Sequence, residues 1–132
     1  LSEAFSRFEE FKVRLLNKDD VQQIGERAYL KKSAWRKWAL ACNVSDELVE
    51  SRRVPPEGKD KDGGFIWYFT VKAFHIPSGR QSIGVGSASL KERKYAHEEH
   101  DVQALAHTRA KNRAISDLVG GGAVSAEEVE QT

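Results

Sequence analysis

Four cations and two tryptophans fall within the eight residues Lys31-Lys32-Ser33-Ala34-Trp35-Arg36-Lys37-Trp38. Cations follow a phosphate backbone and indole faces stack on nucleobases, so this mixture suits a single-stranded nucleic acid. A plainer reading stands beside it: the tryptophans belong to the core, and Lys31, Lys32, Arg36 and Lys37 form the wet side of the same helix. A second cluster, Lys91, Arg93, Lys94 and Tyr95, lies between a glycine-containing strand and a long helix, where a loop could curl over a bound strand. On that helix Arg109 and Arg113 are four residues apart and share a face, with Asn112 and Ser116 beside them as hydrogen-bond partners for phosphate or sugar. Asp117 offers Arg113 an internal partner instead.

Other chemistries find less support. His97-Glu98-Glu99-His100-Asp101, with His107 further on, invites a zinc, manganese or magnesium site, and so a metal-dependent nuclease. Structural zinc sites use cysteines and tighter paired motifs, however, and the same acids are the favourable charges of a helix start. No serine, histidine and acid set can be placed, and no phosphate-cradling GxxxxGK occurs. Gly84-Val85-Gly86 lacks the strand, turn and immediately following helix of a dinucleotide fingerprint. The expectation is a protein with no catalytic centre, no metal and no cofactor.

These residues need elements to position them. Phe5, Phe8, Phe11 and Leu15 recur at helical spacing and predict an amphipathic helix over 2–16. Residues 21–31 read as a short hairpin around Gly25-Glu26, with a continuous helix as the competing reading. Ser33 is placed to cap a helix over 34–42 that Asn43 can close left-handed. Ser45-Asp46-Glu47 repeats the helix-start signal, and one turn leading into a strand is expected there. Residues 55–64, PPEGKDKDGG, form a loop. Phe65 to Phe74 alternates as a strand, with Phe65, Trp67, Phe69, Val71 and Ala73 on one face and Ile66, Tyr68, Thr70 and Lys72 on the other. Pro77-Ser78-Gly79 turns the chain into a strand over 81–88, whose Gly84 and Gly86 leave one face bare for a close approach. Residues 101–119 form the longest helix, with Leu105, Ala106, Ala110, Ala114 and Leu118 available for packing, and Gly120-Gly121-Gly122 stops it. The fold class is α+β, an antiparallel sheet of about three to five strands with helices on one face and a long C-terminal helix.

The chain has 132 residues, 39% of them hydrophobic and 31% charged, enough for one domain with a core of its own. That domain is expected over 1–122, with 123–132 as an acidic, flexible tail. No apolar run reaches membrane-span length, and no membrane partner is expected. The lack of any methionine suggests that residues precede Leu1 in the natural product. Cys42 is the single cysteine, so an internal disulfide is excluded and a reducing, cytoplasmic setting is expected. The net charge of +1 hides a division: residues 27–113 hold 17 Lys and Arg against 10 Asp and Glu, and the remainder holds 4 against 10. A basic middle points to a polyanionic partner.

From Phe65 onward the chain resembles the core of single-strand annealing proteins, the Rad-fifty-two type and, more loosely, the phage Erf and Red beta proteins. In that core a long strand ends at a glycine-centred turn, the next strand closes with a glycine-rich segment, and a basic helix ends in glycine. Here these are FIWYFTVKAF, PSGR, IGVGSAS and HTRAKNRAISDLVGG. The whole sequence also resembles archaeal and phage proteins that carry KKSxWRK and HTRAKNRAISDL. The resemblance implies strand annealing in recombination and repair by homo-oligomers acting without ATP or metal. It also implies that Arg113 of Arg113-Ala114-Ile115 contacts DNA phosphate, although Asn112 and Ser116 stand where that family adds cations. The expected partner is single-stranded DNA, with RNA as the alternative, held by Lys31, Lys32, Arg36, Lys37, Lys91, Arg93, Lys94, Arg109 and Arg113 while Tyr95 or Trp35 stacks bases. A strand-protecting protein of the ThermoDBP kind is the alternative within binding proteins.

Overall fold

The structure, a computed structural model, describes residues 10, 14, 16–55, 64–119 and 125–129. Most of the expected N-terminal helix, most of the loop over 55–64 and the Gly120-Gly121-Gly122 stop lie outside the described residues. Glu10 and Arg14 are helical and form an i,i+4 ion pair at 3.6 Å.

The Asn17 side chain accepts from the Asp19 amide while the Asp20 carboxylate accepts from the Asn17 amide, closing a 3-10 turn over Lys18–Asp20. The hairpin follows as expected, β1 (Val21–Ile24) pairing antiparallel with β2 (Arg27–Leu30). Gly25 at the first turn position has φ 63, the left-handed value that a two-residue hairpin turn of this kind demands.

Helix α1 (Lys32–Ala41) starts earlier than its sequence signal suggests. Lys31 is the N-cap, in extended conformation with no side-chain cap bond, and Ser33 sits inside the first turn. Ser33 instead hydrogen-bonds the buried Asp20, while the carboxylate of Glu127 receives the Lys32 amide at 3.0 Å. The cap is thus supplied from 95 residues away. Asn43, with φ 57, closes the helix as expected.

Three strands then form an antiparallel meander: β3 (Val44–Val54), β4 (Ile66–His75) and β5 (Gln81–Ser89), in the order β3-β4-β5. The helical turn expected at Ser45-Asp46-Glu47 is absent, and strand pairing already begins at Val44 opposite His75. Asp46 reaches Lys111 at 3.6 Å and Glu47 reaches Lys72 at 3.2 Å. Both carboxylates therefore find cations from within a strand, and the helix dipole has nothing further to offer them. A register shift between Leu48 and Glu50 makes Val49 the extra residue of a bulge.

Helix α2 (Glu98–Val119) lies across β4 and β5. Ala106, Ala110 and Ala114, one turn apart, are fully buried, and they meet the bare face of β5. A Cβ at Gly84 would overlap the Ala110 carbonyl and the Ala114 amide, and one at Gly86 would overlap the Ala106 carbonyl and the Ala110 amide. The close approach expected at these glycines is made by the chain's own helix. Trp35, Trp38, Phe69, Val71, Ala73, Val102 and Ile115 complete the core between sheet and helices. The opposite sheet face presents Tyr68, Thr70, Ile83 and Val85, the last two more than half exposed.

Candidate functional site

The two basic segments that lie far apart in sequence meet where α1 begins, and a carboxylate sits between them. Arg109, Asn112 and Arg113 occupy one face of α2 by their three- and four-residue spacing. Facing them is a 3-10 turn over Ala126–Glu128. Glu127 accepts from the Lys32 amide through Oε2 and from Asn112 Nδ2 through Oε1, both at 3.0 Å. Arg109 Nε donates to the Glu127 carbonyl oxygen, and Arg113 Nε donates to Glu128 Oε1 at 2.7 Å. The other Glu128 oxygen accepts from the Ser125 amide at 2.6 Å, and Ser125 is fully buried. Through these contacts residues 125–128, from the segment expected as an acidic tail, lie against α1 and α2. Their carboxylates replace solvent with an amide, a carboxamide and a guanidinium.

Lys32, Arg36 and Lys111 are crowded around this seat. Burial, followed by repulsion from Arg36 and Lys111, pushes the Lys32 ammonium pKa down, and Glu127 opposes that shift. Lys111 was not among the residues singled out by sequence; its signal was its place one position before Asn112 on the arginine-bearing helix. Asn112 and Ser116, expected to face phosphate or sugar, are 1% and 0% exposed.

The second cluster is organised around Glu92. Ser89 caps the 3-10 turn Leu90–Glu92, accepting from the Lys91 amide, while Glu92 Oε1 accepts from the Ser89 amide, both at 3.2 Å. Arg109 donates through Nη1 to Glu92 Oε1 and to the Ser87 carbonyl, each at 2.8 Å, and its Nη2 lies 2.7 Å from Glu92 Oε2. Burial alone would raise the Glu92 carboxyl; the Arg109 hydrogen bonds and charge outweigh it and hold the group below its usual range. Arg109 is thus a tie between β5, the Leu90–Glu92 turn and α2 rather than an open phosphate contact. Tyr95 donates its hydroxyl to the Ser89 carbonyl at 3.1 Å and packs against the core, with burial and then Glu92 raising its pKa. Lys91 and Lys94 are exposed, and Arg93 is half-buried.

The remaining expected residues separate. Trp35 is fully enclosed, so base stacking on it is corrected to core packing. Lys37 Nζ reaches Asp20 Oδ2 at 2.7 Å, and this bond, with those from Asn17 and Ser33, lowers the Asp20 pKa from 3.8 to about 2. Lys31 is half-buried and Arg36 is exposed beside the seat of Glu127. Arg113 also lies 3.4 Å from Asp117, the internal partner seen in sequence.

The acids at the start of α2 are engaged individually. Glu99 binds Arg53 Nε at 2.7 Å and Trp67 Nε1 at 3.2 Å, and Asp101 Oδ2 accepts from the His97 amide at 3.0 Å. Among the described residues no group of three or more His, Cys, Asp or Glu is placed to hold a metal ion. His107 stacks on Phe69 with centroids 4.9 Å apart, and burial lowers its pKa. On the opposite sheet face, Glu50, Arg52, Tyr68, Thr70 and Val85 line a shallow depression, with the Arg52 guanidinium 4.9 Å from the Tyr68 ring. Glu50 and Glu47 match Arg52 and Lys72 there, so that face lacks the cation excess of the α1–α2 site.

Fold and site together define an α+β domain in which two cationic helices hold an internal anion. No protein-family model matches the chain, and no curated protein matches it. Among the described residues, no helix is long and apolar enough to cross a membrane.

Proposed function

We propose that this domain binds single-stranded DNA, without a catalytic step of its own, and serves strand annealing in recombination or repair. One observation carries the binding: Lys32, with Lys31 one residue before it and with Arg36 and Lys111 close enough to repel its charge, meets Asn112 and Arg113 of α2 at a seat that already holds carboxylates. A backbone amide at a helix start, a carboxamide and a guanidinium donate to phosphate oxygens as readily as to carboxylate oxygens. Lys91 and Lys94 extend the cationic surface beyond Arg109, beside the half-buried ring of Tyr95. The annealing part is supported by the order β3-β4-β5 followed by α2, which agrees with the strand and helix order of the annealing core that the sequence resembles.

Fluorescence anisotropy with a labelled oligonucleotide, single-stranded against duplex and at two salt concentrations, tests the binding. The double variant Lys31→Ala with Arg36→Ala removes two cations outside the core; each phosphate that the variant no longer neutralises lowers the slope of log K against log salt by about 0.7 on a single strand. The expected result is preference for single strands, weakened in the variant. No binding at low salt, or binding that the variant leaves unchanged, overturns the reading. A complementary-strand pairing assay then separates annealing from simple protection.

A further inference from the structure

We propose that the turn Ser125–Glu128 is a built-in competitor for the nucleic-acid site, so that strand phosphates bind by displacing Glu127 and Glu128. The inference rests on the reading above and adds regulation to the same site.

The described groups bound to the two carboxylates are donors: the Lys32 amide, Asn112 Nδ2, Arg113 Nε and, from the turn itself, the Ser125 amide. Asn112 is 1% exposed and points its carboxamide nitrogen at Glu127. A buried donor needs an acceptor, so whatever removes Glu127 must bring oxygens of its own, which a phosphodiester does and a neutral ligand does less well. The two acids are consecutive residues, and successive phosphates of one strand offer a similarly repeated charge.

Exchange would also leave the core intact. When the Glu127 carbonyl leaves Arg109 Nε, the same guanidinium keeps both Glu92 oxygens and the Ser87 carbonyl. Hydrogen bonds within the turn are few, Glu128 N to Ser125 O at 3.2 Å and Ser125 N to Glu128 Oε2 at 2.6 Å. Its hold on the domain is the anion contacts, the Arg109 bond to the Glu127 carbonyl, the burial of Ser125 and packing beside α2 and the β1–β2 hairpin, and a short segment with so few bonds of its own opens at the low end of local stability. Opening frees four donors at once, the Lys32 amide, Asn112 Nδ2, Arg109 Nε and Arg113 Nε.

The test uses the whole chain and Glu127→Gln with Glu128→Gln, which removes both charges at nearly constant shape. A turn seated about 90% of the time lowers apparent affinity about tenfold, because the dissociation constant is divided by the competent fraction. The variant is expected to bind a single-stranded oligonucleotide about tenfold more tightly at low salt, with the gain shrinking as salt rises. In the native chain, hydrogen exchange at the amides of Lys32 and Ser125 is read with and without the oligonucleotide. The competitor predicts loss of protection at Ser125 on binding; this arm decides the matter should the variant fold poorly in a thermal melt. Equal or weaker binding by a folded variant, or unchanged protection at Ser125 in the saturated native chain, overturns the competitor while the nucleic-acid reading stands. No binding by either chain at low salt overturns both.

Discussion

At the scale of single residues, the side chains expected to share one task divide between two. Trp35 and Arg109 are interior groups, whereas Arg36, Lys91 and Lys94 stay at the surface. Nothing local in the sequence separates them. An arginine on a helix is as readily a phosphate contact as an ion-pair partner, and only the position of Glu92, 17 residues away, decides for Arg109. With Arg109 at 7% exposure and Glu92 at 13%, Arg109→Ala would strand a buried carboxylate. Breaking such a pair by removing one partner costs about 3–5 kcal/mol. Urea unfolding of Arg109→Ala is expected to show a loss of that order, against a change within about 0.5 kcal/mol for the exposed Arg36→Ala. A loss of strand binding in Arg109→Ala would therefore report on folding first, which makes it a poor probe of the interface.

At the scale of elements, legibility followed periodicity and turn chemistry. The alternation of Phe65 through Ala73, the hairpin glycine and the alanine ladder of α2 each state their element locally, and β1, β2, β4, β5 and α2 appear where they were expected. Strand β3 was missed at its start because two adjacent acids look the same at a helix start as on two faces of a strand; Lys72 and Lys111, which decide between these, come from other elements. The start of α1 was misplaced for the same reason, since its cap is the distant Glu127 and its Ser33 is drawn to Asp20. Asp20 ties the Lys18–Asp20 turn to α1 through Lys37 and Ser33, and this contact has a pH signature. Its pKa falls from 3.8 to about 2 on folding, led by the Lys37 hydrogen bond, so the unfolded chain takes up the proton first. The contribution is full above the unfolded value and is lost as pH falls through about 2. Stability followed by urea unfolding from neutral pH down to about pH 2 is expected to decline along this limb. Asp20→Asn is expected to be less stable at neutral pH and to lack the Asp20 share of the decline; an identical acid limb in the variant would show that another carboxylate is responsible.

At the scale of the whole molecule, folding returns part of the acidic ends of the chain to its basic middle. Glu127 and Glu128 sit on α1 and α2, and Asp20 holds Lys37, so the local excess counted along the sequence overstates the field that a polyanion meets. The cations at the surface are arranged on both sides of one guanidinium: Arg109 places Nε toward the Glu127 side and Nη1 and Nη2 toward Glu92 and the Lys91–Lys94 segment. The α1 start and the segment after β5 are therefore linked through Glu127, Arg109 and Glu92. A strand long enough to span several phosphates is expected to cross both. Lys31→Ala with Arg36→Ala and Lys91→Ala with Lys94→Ala should each lower the salt slope, by about 1.4 per pair if both cations of the pair contact phosphate, and the four-site variant should lose the sum, because sites without shared partners add. A slope that responds to one pair alone would confine the strand to that side of Arg109, and a shorter oligonucleotide would then bind as well as a long one.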